Sequence, residues 1–228
     1  MKDKVVVITG GSRGFGRALA EVFIARGAKV IISSRDKKEL EETADEIKAT
    51  SVVADVTKEK EILNLRDEAV KRFGKIDYWI NNAGIWFCFS TIEELDIPKV
   101  HDLMEVNLFG TMYGSRAALI QMKDQGFGTI VNIISVSGLR GRAKSSGYAA
   151  TKYAVRGFTE SLREACKETP IKVIAVYPGG MKTEIFHDKK PSDYDKFMDV
   201  ESVAERTVMN LEAENPKEDL IIEDYVLI

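Results

Sequence analysis

Lys4-Val-Val-Val-Ile-Thr9, then Gly10-Gly-Ser-Arg-Gly-Phe-Gly16, then Arg17-Ala-Leu-Ala-Glu-Val-Phe-Ile-Ala-Arg26 is the stretch that decides the fold. The first run is β-branched and continuously apolar, which suits a strand buried on both faces of a parallel sheet. The last run reads as a helix stopped by Gly27. Between them the spacing Gly10-x-x-x-Gly14-x-Gly16 lets the backbone turn tightly and come close to a bound group, while the helix offers its positive end to a pyrophosphate. Strand, glycine turn and helix together predict a dinucleotide site around Gly10, Ser12, Arg13, Gly14, Phe15 and Gly16.

Outward from there the same alternation repeats. Further strands are expected at 29–34, 51–54, 75–80, 128–134, 171–177 and 220–228, with helices at 37–48, 58–73, about 98–124, from about 147, and 200–211. Seven strands alternating with helices predict an α/β fold, a Rossmann-type doubly wound, mainly parallel sheet with helices on both faces. No Pro/Gly/Ser-rich linker interrupts residues 1–228, so one domain is expected, with a polar loop or lid at about 184–199. In the helix from 147, the stripe Ala150, Ala154, Phe158 and Leu162 reads as the core face.

Composition narrows the function. The 228 residues are 44% hydrophobic and 30% charged, with a net charge of −3 that argues against a broad nucleic-acid surface. No apolar run is long enough to span a membrane or serve as a signal peptide. Cys88 and Cys166 lie far apart without metal spacing, and His101 and His187 form no ligand cluster. Free thiols in the cytoplasm and no metal are the expectation.

The chemistry gathers at Tyr148-Ala-Ala-Thr-Lys152, with Ser135 at the carboxyl end of the fifth strand. Residues four apart on a helix share a face, and an ammonium beside a phenol favours its ionised form, so a tyrosine placed there can pass a proton. Asn107, inside Val106-Asn-Leu-Phe-Gly110, is a poor choice for a helix interior and hints at a special role. Trp86, Phe87 and Phe89 follow Gly84 and either tuck under the loop or form a pocket wall, with Met181 opposite. At the end of the second strand, Ser33-Ser34-Arg35-Asp36 reaches the adenosine ribose. Asp36 there either caps the next helix or binds the ribose. Arg140 and Arg142 either favour an anionic substrate or are solvated.

The chain resembles the short-chain dehydrogenase/reductase family over nearly its whole length. The matching motifs are Thr9-Gly-Gly-Ser-Arg-Gly-Phe-Gly16, Asn81-Asn-Ala-Gly84, Asn107, Ser135, Tyr148-x-x-x-Lys152, and Pro178-Gly179 followed by Thr183. The resemblance implies that Tyr148 is the proton donor or acceptor and that Lys152 holds the nicotinamide ribose. It makes Ser135 the partner of the substrate oxygen, and has Asn107 position a water that links Lys152 to solvent. Asp55 and Val56 would line the adenine site, and Asn81, Asn82, Ala83 and Gly84 would border the adenosine ribose. Pro178, Gly179 and Thr183 would meet the nicotinamide end. Family members that use NAD carry an acid where this chain has Ser34; with Arg35 and Arg13 nearby, NADP(H) is expected to be preferred over NAD(H). The family's tetramer-building tail is absent where the chain stops at Ile228, so a homodimer is expected, through the long helices around Phe109–Gly110 and Gly157. The leading expectation is an NADP(H)-dependent enzyme interconverting a small carbonyl compound and an alcohol. A non-catalytic NADP(H) sensor on the same scaffold is the second.

Overall fold

β1 (Val5–Thr9) is buried at every position, as the central strand of a sheet covered on both faces has to be. The computed structural model describes residues 1–87, 91–141, 143–186, 190–191 and 193–224. In order after β1 come α1 (Gly14–Ala25), β2 (Lys29–Ser34), α2 (Lys37–Ile47), β3 (Thr50–Val53), α3 (Glu59–Phe73) and β4 (Tyr78–Asn81). Then follow α4 (Ile97–Leu103), α5 (Gly110–Gln125), β5 (Gly128–Ile133), α6 (Ser146–Cys166), β6 (Ile171–Pro178), α7 (Val200–Glu212) and β7 (Asp219–Ile222). The sheet order is β3-β2-β1-β4-β5-β6-β7, and every pairing is parallel.

Alternation along the strands divides the core into two layers. Val5, Val7, Ile31, Trp79 and Ile130 face the helices α3, α5 and α6. Val6, Ile8, Ile32, Ile80 and Val131 face α1, α2 and α7, meeting Leu19, Phe23, Leu40 and Val203. The strand order reverses between β1 and β4, and this switch point opens a crevice at the carboxyl ends of the strands. No described helix is long and apolar enough to cross a membrane.

Several expected elements shift. The long helix expected at about 98–124 is α4, a π-helical turn over Met104–Phe109, and then α5. Its mark is the Gly110 N–H, which bonds to Glu105 O, five residues back. In α6 the expected core stripe holds only at its far end, where Leu162 is buried and Phe158 packs against the core: Ala150 is exposed, and the buried line is Lys152, Val155, Thr159, Leu162 and Cys166. Steps of four at 3.6 residues per turn drift around a helix, whereas alternating steps of three and four stay on one side. Gly110 likewise faces inward, where a Cβ would lie 2.9 Å from Val56 Cγ2. Gly157 and Phe109 remain on the outer side, with nothing within 4 Å of a Cβ on Gly157. Strand β7 is shorter than expected, and residues 225–228 lie outside the described residues.

β4 starts three residues later than expected because Asp77 is pinned below it. Its carboxylate accepts from Lys4 Nζ at 2.8 Å, from the Val5 N–H at 2.9 Å and from Lys75 Nζ, also at 2.9 Å. Burial pushes its pKa up, but the hydrogen bonds from Lys4, Val5 and Lys75 outweigh this and hold it below the ordinary 3.8. As pH falls, the unfolded chain therefore takes up this proton first. The stabilisation is complete above about pH 4 and is lost as pH drops through the folded-state value. Asp77→Asn should cost about 1.5–3 kcal/mol at pH 7 in urea titrations. The gap from the native protein should close as pH falls towards 3. A gap that stays constant with pH would contradict the assignment.

Candidate active site

The turn after β1 is built for close approach. Gly10 has φ +65°, and a Cβ there would come 2.8 Å from Ala83 Cα in the loop after β4. The two loops are stitched together. Thr9 Oγ1 accepts from the N–H groups of Asn82 and Ala83, each at 3.1 Å. Asn82 Nδ2 donates to Thr9 O and Gly10 O at 2.9 and 3.0 Å. The first turn of α1 has no acidic residue, and its N-cap, Arg13, makes no side-chain cap bond. Its backbone N–H groups are thus left to meet an anionic group, whereas α2 and α4 are capped by Asp36 and Asp96. These uncapped donors at a bare-glycine turn fit the pyrophosphate of a dinucleotide.

The turn opens into a cleft of about 900 Å³, within the size range of small-molecule sites. At the end next to the second strand stand Ser34, Arg35, Asp36, Glu39, Asp55 and Val56. Asp36 acts as a cap, accepting from the Glu39 N–H at 3.0 Å. Asp55 Oδ1 accepts from both Thr57 N and Thr57 Oγ1 at 2.9 Å. Ser12 Oγ donates to Glu39 Oε2 at 2.9 Å. Arg13 lies 3.8 Å from Glu39 and 3.6 Å from Glu184 across the cleft.

At the other end the cleft gathers Ser135, Tyr148 and Lys152, with Pro178, Gly179 and Thr183 alongside. Lys152 is 6% exposed; its Nζ donates to Ile133 O at 3.2 Å and lies 5.6 Å from the centre of the Tyr148 ring. No carboxylate among the described residues pairs with it, and burial pushes its pKa down to about 8. Ser135 Oγ accepts from the Ser137 N–H at 3.1 Å, which leaves its own proton to donate. Asn107 does not line the cleft. Its Oδ1 accepts from Ile85 N at 2.8 Å, and its Nδ2 donates to Ile85 O and Thr151 Oγ1 at 3.0 and 3.2 Å. Thr151 Oγ1 in turn donates to Tyr148 O at 2.8 Å, so Asn107 ties the loop after β4 to the helix turn that carries Tyr148.

Two residues expected to touch a ligand do not line the cleft. Asn81 turns away from the cleft, because its amide belongs to a buried network between β4, β5 and α5. It accepts from Trp79 Nε1 at 2.8 Å and donates to Ser115 Oγ at 2.9 Å and Asn132 Oδ1 at 2.8 Å. Phe87 is also outside the cleft wall, its ring lying under Lys99 Nζ at 5.6 Å. Trp86 and Met181 do line the cleft. Trp86 packs edge-on against Phe186 at 5.0 Å, and Phe186 in turn meets Tyr194 edge-on at 5.9 Å and Phe197 at a tilt at 5.5 Å. This aromatic cluster occupies the described part of the expected polar loop 184–199. Met181 pairs with Met198 in an isolated parallel bridge across the segment's base. Arg140 is held by Glu223, and Arg142, Cys88, Phe89 and His187 lie outside the described residues. Sequence reasoning missed Glu39 and Phe186. The Asp36-x-x-Glu39 spacing of a capping box pointed only to a helix start.

Residues 4–193 match the short chain dehydrogenase family, and the chain belongs to it. An uncharacterised oxidoreductase of Bacillus subtilis (strain 168) is 35% identical across 97% of this chain; the match spans 66% of that relative's length. Among solved structures, a 3-ketoacyl-(acyl-carrier-protein) reductase from Brucella melitensis complexed with NADH superposes with a TM-score of 0.90 at 28% identity, covering 97% of each chain. An alcohol dehydrogenase from the archaeon Thermococcus sibiricus complexed with 5-hydroxy-NADP gives 0.85 at 26% identity, covering 97% of this chain and 96% of that one. The chain is thus an oxidoreductase of a family that binds nicotinamide cofactors.

A lysine whose folded-state pKa is lowered to about 8 from 10.5 costs stability. The cost is complete below about pH 8 and disappears between 8 and 10.5, where the unfolded chain still holds the proton that the folded chain has lost. It amounts to roughly 3 kcal/mol at pH 7. Lys152→Met without ligand should therefore be more stable than the native protein at pH 7, by about 2 kcal/mol once the lost bond to Ile133 O is counted. That advantage should shrink steadily by pH 10 in denaturant titrations. An advantage independent of pH would rule out a buried charge as its source.

Proposed function

We propose that this protein is an NADP(H)-dependent oxidoreductase that interconverts a carbonyl compound and an alcohol. The observation that carries the reading is the meeting, in one cleft, of Tyr148, a buried Lys152 and Ser135 with an uncapped helix start at a glycine turn. Bound nicotinamide supplies the hydride. Ser135 donates its hydroxyl proton to the substrate oxygen as negative charge grows there. Tyr148 gives its phenolic proton to that oxygen during reduction and takes it back during oxidation. Lys152, one helical turn on, favours the charged phenolate and orients the ribose.

Asn107 would support this proton transfer by holding a water. A Cβ on Gly84 would lie 3.2 Å from Asn107 Oδ1 and 3.9 Å from Lys152 Nζ, so the bare glycine leaves room between the amide oxygen and the ammonium. Trp86, Met181, Ile185 and Phe186 on the cleft wall favour a substrate with an apolar body. The exposed Phe109, in the π-helical turn before α5, and Tyr153 and Gly157 on α6 favour a homodimer.

The preference for NADP(H) rests on Ser34, where an acid would favour NAD(H), and on the two guanidiniums of Arg13 and Arg35 at the same end. The Asp36 carboxylate is engaged as a helix cap, which supports the same preference. Charge-assisted bonds to a 2′-phosphate are worth roughly 1.5–3 kcal/mol each, so kcat/KM with NADPH should exceed that with NADH by about 10²-fold. Ser34→Asp combined with Arg35→Ala should reverse this. A native preference for NADH, or a double variant that keeps the native ratio, would refute it.

Tyr148→Phe retains the ring and removes the proton donor. Turnover against a panel of ketones, aldehydes and quinones should fall about 10²–10⁴-fold while NADPH binding by fluorescence stays near native. Activity above about a tenth of native would remove Tyr148 from the chemistry.

A further inference from the structure

Glu39 stands at the third position of α2, where a Glu after an Asp cap ordinarily reaches back to the cap's own N–H. Here it turns across the mouth of the cleft instead. Its carboxylate accepts from Ser12 Oγ at 2.9 Å and lies 3.8 Å from Arg13 Nη1. Ser12 is buried, so that hydroxyl is aimed by the fold rather than by solvent. A carboxylate and a phosphate monoester call for the same partners, a hydroxyl donor and a guanidinium fork. Arg13, which the NADP(H) reading gives to the 2′-phosphate, therefore already faces one carboxylate on its own side and another, Glu184, across the cleft.

We infer that Glu39 is a specificity-determining residue that weakens recognition of a phosphorylated ribose, because its carboxylate competes with the 2′-phosphate for Arg13 beside Ser12. The inference rests on the NADP(H) reading for the location of that phosphate. An unphosphorylated ribose gains nothing from releasing Arg13, so removing the carboxylate's charge acts on one ligand and not on the other. A purely structural tether between α2 and the glycine turn would affect both ligands alike.

The test uses the full chain and two fragments that lack nicotinamide, 2′,5′-ADP and 5′-AMP, titrated by calorimetry into the native protein and into Glu39→Gln. Gln keeps the shape and the reach to Ser12 while removing the charge. Affinity for 2′,5′-ADP should rise at least about tenfold, while that for 5′-AMP changes less than about twofold. In an Arg13→Ala background the gain should fall below about threefold, because the guanidinium to be released is gone. Glu39→Ala, which also removes the bond to Ser12, should move the ratio in the same direction. Equal changes for both fragments would overturn the inference. So would weaker 5′-AMP binding by Glu39→Gln, which would make Glu39 an acceptor for the ribose hydroxyl, or a full gain that survives Arg13→Ala. Whether the native protein binds 2′,5′-ADP more tightly than 5′-AMP tests the NADP(H) reading separately, since the effect of Glu39→Gln is read as a change from native.

Discussion

An ammonium buried without a carboxylate is an expensive thing to fold around, and Lys152 is held in that condition from several sides. Its Nζ donates to the carbonyl of Ile133, the last residue of β5, so the sheet itself supplies the nearest acceptor. The helix that carries it is fixed to the same strand one step deeper, where Asn132 Nδ2 donates to Thr159 Oγ1 at 2.9 Å. That bond belongs to the network through Asn81 and Ser115 that joins β4, β5, α5 and α6. A rigid polar scaffold below the site keeps the ammonium from swinging out to water. The cost of burying the ammonium is thus built into the fold.

The fold was legible because its signals are local and repeated. A β-branched run, a glycine turn and a helix follow one another at the start of the chain, and later units repeat strand then helix. The grouping of Tyr148, Lys152 and Ser135 along one cleft was also legible, since they fall at recognisable spacings. What stayed hidden depends on contacts between distant segments. Asn81 and Asn82 are neighbours of one residue type, yet one holds the sheet together while the other holds the glycine turn. Only the pleat, which sends successive side chains to opposite sides, tells them apart. The face of α6 was misjudged for a different reason: the apolar residues chosen were real, but their four-residue steps wind around the helix, and Thr159 and Lys152 complete the buried line. Glu39 looked like one of many charges on α2 because its partners, Ser12 and Arg13, lie on another element.

The adenosine end also illustrates how one residue can serve several demands. Thr43 Oγ1 donates to Ser12 O at 2.8 Å while Ser12 Oγ donates to Glu39, so α2 grips the glycine turn through both the backbone and the side chain of Ser12. The turn is therefore held on one flank by α2 and on the other by Asn82. A turn clamped on both flanks presents its N–H groups in fixed directions, which reduces the ordering required when an anion arrives.

The parallel bridge between Met181 and Met198 brings the chain back to the place it left, with Phe186, Tyr194 and Phe197 clustered in between and Phe186 edge-on to Trp86. Because the two ends are already joined at the base, the described residues between them carry no strand of the sheet and bear none of its register. Lengthening or replacing them adds only a slowly growing closure entropy. The described part of this insert lines the cleft and is in this sense separable from the sheet that carries it.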